Sequence, residues 1–265
     1  MFDFYCLAAA WHVGSPRGEA TIGREGILVD LPAVIPQQQG QKLSFGVLTV
    51  NSAAYIEKLL RVARTFADEI VIGVDSSSSD ATEAICCRYA DKISRLEPIG
   101  TSENALAWLN EQCSGDWIFR LDHDELPSEG LLSALPRLMT DREVTHYWFP
   151  RRWVIGSDES RWIAEPPWWP DWQVRLFRNI RSIVKIPGVI HSDYVVEGSG
   201  AYLCEGSIYH YDLTYHSEAR RRQKIEQYER LAPGGSLSHY YFPDVSSVIT
   251  RPLAVGGSTC RGPRP

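Results

Sequence analysis

Four consecutive residues, Asp122-His123-Asp124-Glu125, follow directly on the apolar run 117–121. Charged side chains beside a buried sheet cost free energy, so carboxylates at a strand end call for a cation or a hydrogen-bonding loop to satisfy them. Two Asp residues at i and i+2 in a turn can aim their oxygens at one hard cation such as Mg²⁺ or Mn²⁺, and such an ion can hold a diphosphate. Capping of the following helix, or an ordinary polar turn, would use the same residues. Thr49, Asn51 and Asp75 also end apolar runs and are the next polar groups to place.

Bringing these residues together requires a sheet. The run 43–50 reads as a buried strand, and 52–66 carries apolar residues at helical spacing behind Ser52. A second strand over 70–74 ends at Asp75, and Ser79 or Asp80 is placed to cap a helix over 81–89. A strand over 92–96, a helix over 103–113 and a strand over 117–121 follow. This alternation predicts an α/β fold with a mostly parallel sheet, right-handed crossovers and helices on both faces. Ligands of such sheets bind at the carboxyl ends of the strands, where Thr49 to Asn51, Asp75 and Asp122 to Glu125 all fall. Beyond a helix over 130–139, the stretches 146–153 and 172–178 alternate in period two, as half-exposed strands do. The helix predicted over 217–231 carries Arg220, Arg221, Arg222 and Lys224, which reads as a solvated face.

The remaining composition narrows the class. With 44% hydrophobic and 23% charged residues and a net charge of −6, the chain reads as an ordinary globular protein, and nucleic acid is not the expected partner. No apolar run approaches the roughly 20 residues that span a bilayer, and the run 4–11 follows Asp3 rather than a basic leader, so the expected location is cytoplasmic with at most peripheral membrane contact. The cysteines at 6, 86, 87, 113, 204 and 260 show no paired metal-ligand spacing and read as buried free thiols. Residues 1–42 read as an irregular segment, and 232–265, rich in Gly, Pro and Ser, as a loop-like tail.

Three blocks together, Val47-Leu48-Thr49-Val50-Asn51, the Glu69 to Thr82 stretch with Asp75, and Ser114 through Asp122-His123-Asp124-Glu125, resemble the nucleotide-sugar-binding half of family-2 glycosyltransferases with the A-type fold. Later blocks, Pro170-Asp171-Trp172-Gln173-Val174-Arg175-Leu176-Phe177-Arg178, Val189-Ile190-His191 and Ile208-Tyr209-His210-Tyr211 before Lys224, are similar to the bacterial lipopolysaccharide-core and capsule branch. The resemblance covers 43–231, divided into a nucleotide-sugar-binding half (43–125) and an acceptor and catalytic half (126–231). It implies an inverting transfer of a sugar from a nucleotide-diphosphate sugar to a hydroxyl of a saccharide, lipid-linked glycan or small metabolite, in glycan or glycoconjugate biosynthesis.

The resemblance also implies roles. Thr49, Asn51, Asp75 and Asn104 would face the donor nucleotide, with Asp122 beside them. Asp122 and Asp124 would hold a divalent cation, Mn²⁺ or Mg²⁺, with Asp124 the more direct ligand and His191 a further one. Asp171 or Glu165 would be the base that takes the acceptor proton. An apolar setting near Trp168 and Trp169 would raise that carboxylate's pKa, although a turn-capping role or pairing with Arg175 or Arg178 would use Asp171 equally well. Most of Trp148, Trp153, Trp162, Trp168, Trp169 and Trp172 are expected in the core and about two of them in the site. Two other readings stay open. A sugar nucleotidyltransferase should carry a Gly-rich phosphate loop after the first strand, which Val50-Asn51-Ser52-Ala53 lacks. A non-catalytic nucleotide-sugar or carbohydrate-binding relative would keep Asp122 and Asp124 but tolerate loss of the base.

Overall fold

The computed structural model describes residues 40–187, 194–234 and 238–253. The first half follows the expected alternation: β1 (Leu43–Thr49), α1 (Ile56–Ala63), β2 (Glu69–Asp75), α2 (Thr82–Cys86), β3 (Lys92–Leu96), a 3₁₀ turn (Ser102–Ala105), α3 (Leu106–Gln112) and β4 (Trp117–Arg120). β1 lies between β2 and β4, and β3 borders β2, all in parallel. All seven residues of β1 are buried, as befits a central parallel strand covered on both faces. α1, α2 and α3 start later and end earlier than the sequence predicts. Ser52 does not cap α1 through its side chain; its hydroxyl turns to Thr49 instead.

After β4 the sheet becomes antiparallel. The chain continues through β5 (Glu125–Pro127), α4 (Glu129–Thr140), β6 (Val144–Ile155), β7 (Arg161–Ile163) and β8 (Asp171–Arg178). β8 runs antiparallel to both β4 and β6 and so joins the two halves of the sheet. β9 (Val184–Lys185) and β10 (Val195–Val196) form a small separate pair, while β11 (Ser199–Tyr202) and β12 (Ile208–His210) add to β6 in parallel. β12 also pairs antiparallel with β5. Then come α5 (Asp212–Tyr215), α6 (Glu218–Leu231), α7 (Ser238–Tyr241) and β13 (Thr250–Pro252). The sheet is therefore mixed, with its parallel part confined to β3, β2, β1 and β4 and to the additions beside β6.

One apolar layer packs α1 and α4 against the sheet through Ile56, Leu59, Leu60, Leu131, Leu135 and Leu138; the opposite face receives Leu106 and Leu109 of α3. β6 and β8 are more buried than their period-two pattern suggests, because both faces are covered. Part of the stretch read as a loop-like tail is ordered: β13 extends the sheet beside β7, and Tyr241 of α7 packs with Trp153, Ile163 and Trp168. Of the six tryptophans between 148 and 172, Trp153, Trp162 and Trp168 are buried and the other three half-buried. Among the described cysteines, Cys86, Cys87, Cys113 and Cys204 are free thiols; Cys87 is exposed rather than buried.

Candidate functional site

The carboxyl ends of β1, β2 and β4 carry the polar residues that the alternation of strands and helices places there. Thr49 is buried, its hydroxyl paired with Ser52 and 3.2 Å from His123 Nδ1. Asn51 adopts a positive φ of 44°, a conformation Asn tolerates better than most residues, and its Oδ1 accepts from Ser79 N at 2.9 Å. Asp75 is used by its own loops. Its Oδ1 accepts from the amide and hydroxyl of Ser77, and its Oδ2 from Ile99 N at 2.7 Å. Burial works to raise its pKa, but these hydrogen bonds outweigh it and hold the carboxyl below the usual range. Asn104 lies exposed, with its Nδ2 donating to Ile99 O.

The two aspartates of the acidic turn face different partners. Asp122 Oδ1 accepts from Arg120 Nη2 at 2.5 Å and its Oδ2 from Arg175 Nη2 at 2.8 Å. Glu125, fully buried, accepts from Arg175 Nε at 3.0 Å and Nη2 at 2.9 Å, from Arg151 Nη1 at 3.0 Å and from Asp122 N at 3.0 Å. Arg151 continues the chain to Asp171, whose Oδ2 accepts from Arg151 Nε at 2.7 Å and Trp153 Nε1 at 2.9 Å, and whose Oδ1 accepts from Gln173 Nε2 at 2.6 Å. Three buried or nearly buried arginines thus neutralise three carboxylates. Burial opposes the charged form of Asp171, yet Arg151, Trp153 and Gln173 lower its pKa. This reverses the expected rise: Arg151 sits opposite Asp171 in the register of β6 and β8. Glu165 lies between β7 and β8, its carbonyl accepting from Trp169 N; among the described residues no side-chain bond ties it to this cluster.

Asp124 turns the other way, into histidines. Its Oδ2 lies 3.6 Å from His210 Nε2 and 3.9 Å from His216 Nδ1. His216 also meets Asp212 Oδ2 at 3.2 Å and Tyr55 Oη at 2.9 Å, and Lys224 Nζ donates to Asp212 Oδ2 at 2.6 Å. Burial favours protonation of Asp124, but His210, His123 and Lys224 pull its pKa well below the ordinary value. Burial likewise pushes the His123 pKa down to about 4, so its imidazole is neutral near pH 7. Tyr55, Tyr215 and Tyr211 stack in succession, with centroids 4.6 and 4.8 Å apart, and fasten α5 to the loop ahead of α1.

Two triads of potential ligand atoms, His123 with Asp124 and His216, and Asp124 with His210 and Asp212, each lie within 4.8 Å of one another. Asp212 Oδ1 and His210 Nδ1 are buried without a hydrogen-bond partner. Imidazole nitrogens and carboxylate oxygens suit a divalent ion, and an orphaned buried carboxylate oxygen is what such an ion would satisfy. His191 lies outside the described residues. The sequence signals Asp124 but gives no role to His210, Asp212 or His216, which arrive from β12 and α5; the Ile208-Tyr209-His210-Tyr211 block is the signal that points toward them. Trp153 also enters the site, its ring 4.2 Å from that of His210.

Among the described residues no helix is long and apolar enough to cross a membrane. A family model described as Glycosyl transferase family 2 matches residues 44–191. Over 181 residues the chain is 30% identical to the lipopolysaccharide core biosynthesis glycosyltransferase LpsC of Rhizobium meliloti (strain 1021), covering 64% of this chain and 63% of that protein. It is 28% identical over 107 residues to an uncharacterized glycosyltransferase of Rickettsia bellii (strain RML369-C), covering 40% of this chain and 36% of that one. The chain thus spans less than two thirds of the length of these curated relatives. Among solved structures, S. aureus TarS is similar with a TM-score of 0.48 at 16% identity, over 70% of this chain and 39% of that one. Because the family model covers more than half of the sequence, including β2, β4 and the acidic turn, the chain belongs to glycosyl transferase family 2.

Proposed function

We propose that the chain catalyses the metal-dependent, inverting transfer of a sugar from a nucleotide-diphosphate sugar to an acceptor hydroxyl in cell-envelope glycan biosynthesis. The observation that carries this reading is Asp124, just beyond the carboxyl end of β4, grouped with His210, His216 and Asp212, one of whose oxygens is unpartnered. Asp124, His210 and Asp212 would hold Mn²⁺ or Mg²⁺, with His191 as a further ligand. Such a cation stabilises the charge that grows on the departing nucleotide diphosphate.

The chain's own residues do the rest. Thr49, Asn51, Asp75 and Asn104 border the donor nucleoside. Asp122, clamped by Arg120 and Arg175, orients the donor from the turn rather than gripping the ion with both oxygens. Asp171 is favoured over Glu165 as the base because the Arg151–Glu125–Arg175 chain ties it to the acidic turn. It is ionised near pH 7 and able to accept the acceptor's proton, though its lowered pKa makes it a weak base. That same engagement favours a second reading, a non-catalytic sugar-nucleotide binder that keeps the fold and the ligands.

Release of nucleoside diphosphate from a panel of nucleotide sugars with Mn²⁺, with and without a saccharide acceptor, separates the two. The enzyme reading expects turnover that falls at least about 10²-fold in Asp171→Asn and vanishes in Asp124→Asn with the fold retained. Binding of a donor without any release supports the second reading, and unchanged turnover in Asp124→Asn overturns the first.

A further inference from the structure

α6 buries none of its fourteen residues fully, and its apolar residues are few, yet one of its side chains reaches the candidate site. Polar ties hold it there. Arg221 donates to the carbonyls of Leu213, His216 and Tyr241, Gln227 Nε2 donates to Gly100 O at 2.6 Å, and Lys224 Nζ reaches Asp212 Oδ2 at 2.6 Å. Lys224 is the tie that enters the carboxylate cluster. Its side chain is 28% exposed while Asp212 is fully buried, so the ammonium is a plug at the outer edge of a buried carboxylate cluster.

The charges decide what that plug does. Counting only the carboxylate, ammonium and guanidinium groups, Asp124, Asp212 and Lys224 sum to one negative charge, and the neighbouring arginine and carboxylate chain sums to zero. We propose that Lys224 is a built-in counter-cation: it competes with the divalent ion for Asp212, and once displaced its ammonium is the contact for the donor's diphosphate. The inference rests on the cation reading given above. A divalent ion added to the cluster converts one net negative charge into one net positive charge, which attracts a diphosphate; the bare cluster repels it. Without Lys224 the cluster would be more negative alone and only neutral when loaded.

The test is a sign reversal between two ligands. In the full chain, Lys224→Met is expected to bind Mn²⁺ alone about tenfold or more tighter than the wild type, read by electron paramagnetic resonance of free Mn²⁺. With Mn²⁺ saturating, the same variant is expected to bind UDP or GDP about tenfold or more weakly, read by calorimetry. A purely structural ion pair predicts unchanged or weaker Mn²⁺ binding, and that result overturns the proposal. Lys224→Gln, which keeps a hydrogen bond to Asp212, replaces the Met variant if the latter does not fold. In the wild type, Mg²⁺ should raise the acetylation rate of Lys224, measured by peptide mass spectrometry, while leaving Lys58 and Lys92 unchanged; an unaltered rate at Lys224 also overturns the proposal. Loss of Mn²⁺ binding in Asp124→Asn establishes the cation reading independently, so a failure of that reading is distinguished from a failure of the role given to Lys224.

Discussion

Arg175→Met removes the centre of the buried ionic chain. The Arg175 side chain is 2% exposed and that of Glu125 fully buried. The charge-assisted bonds lost include Nε to Glu125 Oε2, Nη2 to Glu125 Oε1 and Nη2 to Asp122 Oδ2. Glu125 keeps Arg151 and the amide of Asp122, but the pocket is left with one uncompensated negative charge. Removing one partner of a buried pair costs about 3–5 kcal/mol. At roughly 2–4 °C per kcal/mol for a chain of this size, the melting temperature should fall by about 6–20 °C. Met is chosen because it fills much of the same volume, which separates the charge effect from a cavity. The assay is cooperative thermal and urea unfolding of Arg175→Met, Glu125→Gln and the double variant. The double variant should be more stable than Arg175→Met, because Gln carries no charge to strand, with a coupling of about 0.5–3 kcal/mol. Melting of Arg175→Met within about 2 °C of wild type, or a double variant weaker than the two single changes combined, would refute the argument.

Two further outcomes test other parts of the structure. Burial depresses the His146 pKa to about 4, below its ordinary value of 6.5, so the unfolded chain binds the proton more tightly. Stability from this group is complete above pH 6.5 and declines as pH falls toward 4. Because His123 is depressed into the same window, His146→Gln should reduce the slope by at most about 1.4 kcal/mol per pH unit without abolishing it, as followed by urea melts from pH 4 to 7. An unchanged slope would contradict burial of a neutral imidazole. A Cβ on Gly206 would lie 2.4 Å from Leu131 N and 2.5 Å from its Cα, against the backbone that opens α4. Gly206→Ala should therefore cost about 1–3 kcal/mol in chemical denaturation, and a neutral result would mean that the two segments separate readily.

The nucleotide half of the fold is readable because its strands are apolar runs bounded by polar residues, and each polar boundary falls at the same edge of the sheet. β1, β2 and β4 follow from that local pattern, whereas β3, partly exposed and carrying Lys92, Ser94 and Arg95, is read from its place in the alternation. What surrounds Asp124 does not. His210, Asp212 and His216 are remote in sequence, and only the pairing of β12 with β5 and β6 brings them beside the acidic turn. The pKa expected for Asp171 fails for a related reason: the apolar tryptophans are visible along the chain, but the guanidinium across the β6–β8 register is not. The ordering of α7 and β13 is equally hidden, since Tyr240 and Tyr241 find Trp153 and Trp168 only after folding, and glycine and serine nearby signal turns without showing what those turns enclose.

His210 pairs with Glu125 across the antiparallel β5–β12 ladder, and Tyr211 N donates to Asp124 O at 2.8 Å. The backbone of the acidic turn is therefore completed by residues that leave the ribosome long after it. A nascent chain lengthening from Glu125 to His210 exposes unpaired amides and carbonyls beside a concentration of negative charge, and loop closure over that span delays their pairing. Vectorial synthesis thus leaves the acidic turn waiting for its last backbone partners until the chain is four fifths made.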